Sequence, residues 1–287
     1  GATAFAYSGI SSLVIPKSVT TLGTGVFSYT KSLVNARFED GTQIKVLPAD
    51  MFRYSNITSF VVPNSVTNIG SYAFGNATNL KSIIIPASVT TFGTYILRFS
   101  INLEEITIPG NITVISLFST VADMSKVLTK VVVANGSTIV SNNFMTNLTQ
   151  ITTVILPDGI ITIGDNAFSG ATNLSQINIP DSVEKIGINA FYNTPNLNID
   201  LLNYNYKFKI IGTSAFNKSG ITKIYIPETI TSFGTNVFQD AINLNEVVFS
   251  ELSTLITIPN YTFQRTTSLT YINLPDTITS VGTYAFD

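Results

Sequence analysis

The chain of 287 residues has no cysteine, no histidine and no tryptophan. Without cysteine it can form neither disulfides nor thiolate metal sites, which leaves secretion open. Without histidine it lacks the usual general base and the commonest metal ligand. Charge is sparse as well: Asp, Glu, Lys and Arg make up 11% and the net charge is −2, so the clustered basic excess needed to bind nucleic acid is missing. Apolar runs such as 83–85 and 131–134 are far too short to cross a bilayer, so no membrane insertion is expected.

What the chain has in abundance is repetition. The stretch 69–86, I-G-S-Y-A-F-G-N-A-T-N-L-K-S-I-I-I-P, recurs along almost the whole length, with 165–180 its nearest copy. An aromatic closes each I-G-x-x-A-F turn: Phe5, Phe27, Phe52, Phe74, Leu97 as a substitute, an irregular unit near Phe118, then Phe144, Phe168, Phe191, Phe216, Phe238, Phe263 and Phe286. The spacing of roughly 22–25 residues lies in the leucine-rich-repeat range, and about twelve units fit. Since each unit of such an array contacts only its neighbours, length does not count domains here. Residues 1–287 are expected to form a single solenoid. Its first and last residues fall inside repeats, so it is expected to be a fragment lacking its caps.

The second half of each unit reads L-x-x-I-x-I-P, as in 80–86, 151–157 and 221–227. Its final I-x-I alternates with period two and is β-branched, which predicts a short strand with one buried face. Successive copies must pair in parallel, and the proline ends the pairing because it has no N–H. In the other half, Gly23, Gly70, Gly93, Gly164, Gly187, Gly212, Gly234 and Gly282 are expected to supply turn dihedrals that only glycine adopts freely. No helical face of useful length fits there, so short strands, 3-10 turns or single helical turns are expected. The Phe of each unit should point inward and stack on its counterpart in a continuous spine, each contributing on the order of 1.5–3 kcal/mol by burial.

The pattern L-x-x-I-x-I-P-x-S-V-T-x-I-G-x-x-A-F, as at 80–97 and 174–191, resembles the BspA-like class of leucine-rich repeat proteins. That resemblance implies a right-handed leucine-rich-repeat solenoid with a parallel sheet on one face. It also implies a surface or secreted protein concerned with adhesion. Repeat folds host many functions, so the site must be argued from its own residues.

Alternation places two columns on the outer face of the sheet. One reads Val14, Arg37, Val61, Ile84, Thr107, Val132, Ile155, Asn178, Leu201, Tyr225, Val248 and Asn273. The other reads Ser12, Asn35, Ser59, Ser82, Glu105, Lys130, Thr153, Gln176, Ile199, Lys223, Glu246 and Tyr271. The first is largely apolar where side chains should meet solvent, which suits a protein-binding face. It also suits plain stacking of β-branched residues along parallel strands. The candidate ligand-binding residues are Val61, Ile84, Val132, Ile155, Tyr225, Val248 and Tyr271. A glycan platform built on the tyrosines and a passive spacer displaying another domain are the alternatives, and end-to-end self-association is a further partner reading.

The breaks at 98–144 and 197–209 read as repeat drift or as bulges that carry specificity. Catalysis finds no support. Glu104 and Glu105 are adjacent on a strand and point to opposite faces. Asp158 and Asp181 lie on solvated loops after prolines, and the glycines form no phosphate loop. No enzyme, metal or cofactor is expected.

Overall fold

The computed structural model describes residues 1–118, 120–124 and 126–287. They form two compact units, Gly1–Gly136 and Ser137–Asp287. Each is a parallel β-solenoid. In the first, the strands Ser12–Ile15, Asn35–Phe38, Ser59–Val61, Ser82–Ile84, Glu105–Ile108 and Lys130–Val133 pair in that order. The second has Thr153–Ile155 paired with Gln176–Ile177. Its strands Asp200–Leu201, Lys223–Ile226, Glu246–Phe249 and Tyr271–Asn273 form a further parallel sheet.

The I-x-I pattern buries as alternation predicts: Ile83 and Ile85 are fully enclosed, whereas Ile84 between them faces out. Where a proline follows the strand, its carbonyl accepts the N–H three residues on, as from Val66 to Pro63 and from Val183 to Pro180, which turns the chain. Two-residue strands then form a second parallel ladder, for example Val46–Leu47, Asn68–Ile69 and Thr91–Phe92. The 3-10 helices Val114–Leu117 and Val121–Asp123 occupy the irregular stretch around Phe118.

The A-F turn is the least obvious part of the coil. The residues two before and two after the inward residue of most turns have positive φ, as Asp50 and Tyr54 do about Phe52, and Asn189 and Asn193 about Phe191. Among the described residues twenty-one non-glycine residues share this conformation, all at these two positions, so it belongs to the repeat rather than to local strain. The alternation aims every second N–H at the next coil: Asp50 donates to Ser71 O, Phe52 to Ala73 O and Tyr54 to Gly75 O. The intervening N–H groups of Arg53 and Ser55 bond back to Asp50 O and Phe52 O. All five amides are thus satisfied, which offsets the cost of left-handed backbone. Asn and Asp tolerate that region best, and the tyrosines there stack on one another instead, with ring centroids 4.7 Å apart for Tyr7–Tyr29 and 4.6 Å for Tyr29–Tyr54.

This ladder corrects the spine. In the first unit Phe5, Phe27, Phe52 and Phe74 stack at 5.5–5.7 Å, after which Leu97 takes over. Phe118 keeps phase, because Leu97 N–H donates to Leu117 O as each spine residue does to its next coil. In the second unit the spine residue is Met145, not Phe144. Met145 N–H donates to Ala167 O, and Asn143 and Asn147 flank it with positive φ. Phe144 occupies the alanine place beside it and meets Phe168 edge-on, at 6.1 Å and 77°. From Phe168 to Phe286 the rings stack at 5.1–5.8 Å. The stack is therefore interrupted rather than continuous, and thioether and leucine side chains fill the gaps without loss of burial.

The turn glycines also have a different reason from the expected one. None of the eight lies in the left-handed region. A Cβ on Gly212 would instead sit 2.6 Å from Ile188 N and 2.7 Å from the Gly187 carbonyl carbon of the preceding coil. Glycine is required by close approach of two backbones. Accordingly, Gly212→Ala should destabilise the protein by about 1–3 kcal/mol in urea unfolding. Gly9→Ala, where a Cβ would meet nothing within 4 Å, should stay within about 0.5 kcal/mol of wild type.

Candidate functional site

In the first unit the strand register puts the expected residues side by side. Val14 pairs with Arg37, Val61 with Ile84, Ile84 with Thr107 and Thr107 with Val132. Their neighbours Ser12, Asn35, Ser59, Ser82, Glu105 and Lys130 form the adjoining column. Val14, Val61 and Ile84 are 49%, 61% and 44% exposed, while Val132 is half-buried. This is a strip of aliphatic side chains in water, edged by small polar groups. Lys130 and Glu105 close an ion pair of 3.0 Å across adjacent strands.

The second unit carries its own face. Ile155 is 41% exposed, Val248 is half-buried and Tyr271 is 54% exposed. Asn178 and Asn273, which alternation also places outward, turn their amides to the neighbouring strand. Asn178 pairs with both the N–H and the C=O of Leu156 at 2.8 and 2.7 Å, and Asn273 does the same to Phe249 at 2.7 and 2.9 Å. These side chains extend the ladder, so they are spent on structure. Lys223 and Glu246 pair at 2.8 Å, and that hydrogen bond, before simple attraction, holds the Lys223 ammonium above its ordinary range.

Two expected positions are corrected at the 197–209 break. Leu201 aligns with the inward Ile224, and Asp200 aligns with Lys223, one residue away from the register that a uniform repeat implies. Leu201 is therefore core, and Ile199 is buried as well. Tyr225 is only 8% exposed, because the Tyr204 ring, at 4.7 Å, lies against it. Of the tyrosines foreseen as an aromatic platform, Tyr225 is thus covered, while Tyr204 and Tyr271 stay exposed. Tyr206 goes inward, stacking on Phe208 at 4.7 Å and donating to Ile179 O at 3.3 Å. Asn203 anchors the bulge to Asp181 at 2.7 Å.

Tyrosine has a further place in this fold, in the turns and away from the sheet. Seven tyrosines sit in the left-handed turn positions. In the first unit Arg53 lies over Tyr72 at 4.4 Å and over Tyr54 at 5.3 Å while bonding Asp50 at 3.0 Å. The spacing of Tyr29 and Tyr54, each two after a spine Phe, was the available signal. The hydroxyls of Thr67 and Thr231 bond neighbouring coils, at Lys45 O and Lys209 O. Among the described residues no three His, Cys, Asp or Glu side chains gather as metal ligands. No helix among them is long and apolar enough to cross a membrane.

The sequence matches a family profile described as BspA type leucine rich repeat region, with six copies, over residues 1–119, 137–256 and 195–287. The unmatched 120–136 contains the second 3-10 helix, Val121–Asp123. No curated protein matches significantly. Similar solved structures include a leucine-rich repeat protein from Eubacterium ventriosum, 25% identical over 97% of this chain and 76% of that one, with a TM-score of 0.51. Another is a leucine-rich repeat protein from Bacteroides ovatus, 23% identical over 98% of this chain and 68% of that one, with a TM-score of 0.48.

The buried Tyr206 gives the bulge a pH signature. Burial first, with the Asp181 and Asp200 carboxylates adding, pushes its phenol up from 10.0 to about 12. A phenol whose folded pKa is raised is stabilising below the unfolded pKa, and that contribution is lost as pH rises from about 10 to about 12. Tyr206→Phe should be less stable than wild type by about 1 kcal/mol at neutral pH, through the lost hydrogen bond. The gap should close, then reverse, across that alkaline window when both proteins are titrated by chemical denaturation.

Proposed function

Because the chain belongs to the BspA-type leucine-rich repeat family, we propose that it is a non-catalytic binding module that recognises an extracellular protein through the outer face of its parallel strands. The single observation that carries this reading is the register-aligned aliphatic strip of the first unit, with Val14, Val61 and Ile84 all substantially in water. Ile155, Val248 and Tyr271 give the second unit a weaker counterpart. Covering one such valine or isoleucine would contribute about 1.5–3 kcal/mol at full burial, so a few suffice for specific binding once ordering costs are met. The polar border of Ser12, Asn35, Ser59 and Ser82 supplies the hydrogen-bonding rim that protein interfaces have around an apolar centre. Cell-surface or secreted residence is part of the same reading, and membership of the family supports it.

Tyrosine stacking on sugars is less favoured, since Tyr225 and Tyr206 are buried and only Tyr204 and Tyr271 of the four remain exposed. The test is an array of extracellular-matrix proteins and cell-surface glycans probed with the folded chain. Ile84→Asp should weaken the protein contact by at least about tenfold. Ile155→Asp should weaken whatever contact the second unit makes. Both variants should melt as wild type does, because neither side chain is in the core. Undiminished binding by both, or capture by glycans alone, would refute the reading.

A further inference from the structure

We propose that the sheet around Arg37 is a carboxylate-recognition site that takes an extended peptide with one acidic side chain between two apolar ones. The proposal rests on the reading of the strand face as the protein-binding surface and names the chemistry of the partner there.

Arg37 projects outward from Asn35–Phe38 and is exposed. Val14 is its partner in register on one side, and the Asn35–Ser59 pairing puts Val61 on the other. With Ser12, Asn35 and Ser59 these residues line a shallow groove of about 360 Å³. From Val14 to Val61 is two strand spacings, about 10 Å, close to three residues of extended chain. Because alternate side chains of an extended peptide share one face, a Val-Ser-Glu-Ser-Val segment turns its two valines and its carboxylate to the groove together, with the valines about 13 Å apart, a difference from the groove that their side chains and the Arg37 stem span.

Charge decides the occupant. On the two outward columns the other charged side chains are engaged: Glu105 with Lys130, Lys223 with Glu246, and Asp200 with the N–H of Leu202 at 2.8 Å. Among the described residues Arg37 has neither an ion pair nor a hydrogen bond. The nearby Glu39 carboxylate is turned to the Lys17 N–H, at 2.9 Å. The first unit holds nine Lys and Arg against six Asp and Glu, a net +3, whereas the second holds six against eleven, a net −5. An acidic partner is attracted to the first unit over a distance set by ionic strength.

Docking an apolar segment on Val14 and Val61 removes water from the guanidinium between them. A neutral or basic partner leaves that charge uncompensated, which is costly. A carboxylate restores it with two parallel N–H···O bonds, a geometry that guanidinium provides and an ammonium does not. The hydroxyls of Ser12 and Ser59 and the Asn35 amide are placed to bond the peptide backbone. Selectivity here arises from rejecting the wrong charge as much as from holding the right one.

The probe is a fluorescein-labelled heptapeptide, Ser-Val-Ser-Glu-Ser-Val-Ser, compared with its counterparts carrying Gln or Lys in place of Glu by fluorescence anisotropy on the full chain. The Glu peptide should bind at least about tenfold more tightly than the Gln peptide, and the preference should shrink as salt rises. Arg37→Gln should erase the preference with an unchanged melting curve, and Arg37→Lys should keep part of it. Equal binding of the three peptides, or a preference that survives Arg37→Gln, would overturn the proposal. So would Arg37-dependent self-association in sedimentation, which would assign the groove to a second copy of the chain. Loss of the array-selected protein partner in Ile84→Asp but not in Arg37→Gln would leave the strand face as the binding surface and remove the carboxylate site. Retention in both would remove the two together.

Discussion

Successive coils approach to the parallel-ladder distance of about 4.8 Å, and every residue that faces the next coil must satisfy that distance. The I-x-I strands satisfy it as ordinary sheet, and the two-residue strands before each glycine do so briefly. The A-F turn satisfies it by alternating ordinary and left-handed backbone, so that the N–H groups of Asp50, Phe52 and Tyr54 all reach the neighbouring coil. Where two backbones come closest, no Cβ fits, and glycine stands at Gly70, Gly187 and Gly212.

The same distance organises the side chains. Flat rings a coil apart stack, which suits Phe within the core and Tyr along the turn edge. Asn reaches the adjacent strand and mends a ladder that has run out of backbone, as Asn178 does for Leu156. Stacking also brings like residues together, so charged columns persist only where signs alternate, as at Glu105–Lys130 and Lys223–Glu246. Arg37 stands outside that rule, between two valines.

The residues that satisfy the coil spacing are committed to the fold and are poor candidates for recognition. The outward strand positions are free of that commitment, and there Val14, Val61 and Ile84 keep apolar surface in water without any packing demand from within the coil. The bulge at 203–206 shows that such a position can be withdrawn again: Tyr204 covers Tyr225 while Tyr206 fills the core.

The period, the strand at I-x-I, its parallel pairing and the outward place of Val61, Ile84 and Ile155 were all legible in the sequence, because each follows from local alternation repeated at a fixed interval. The tertiary structure alone decided the rest. That Met145 and not Phe144 holds the spine, and that Leu201 turns inward, depends on a one-residue phase that only the neighbouring coil sets through its hydrogen bonds. That the turn glycines answer to backbone contact depends on an approach between coils, a distance absent from the sequence of any one of them.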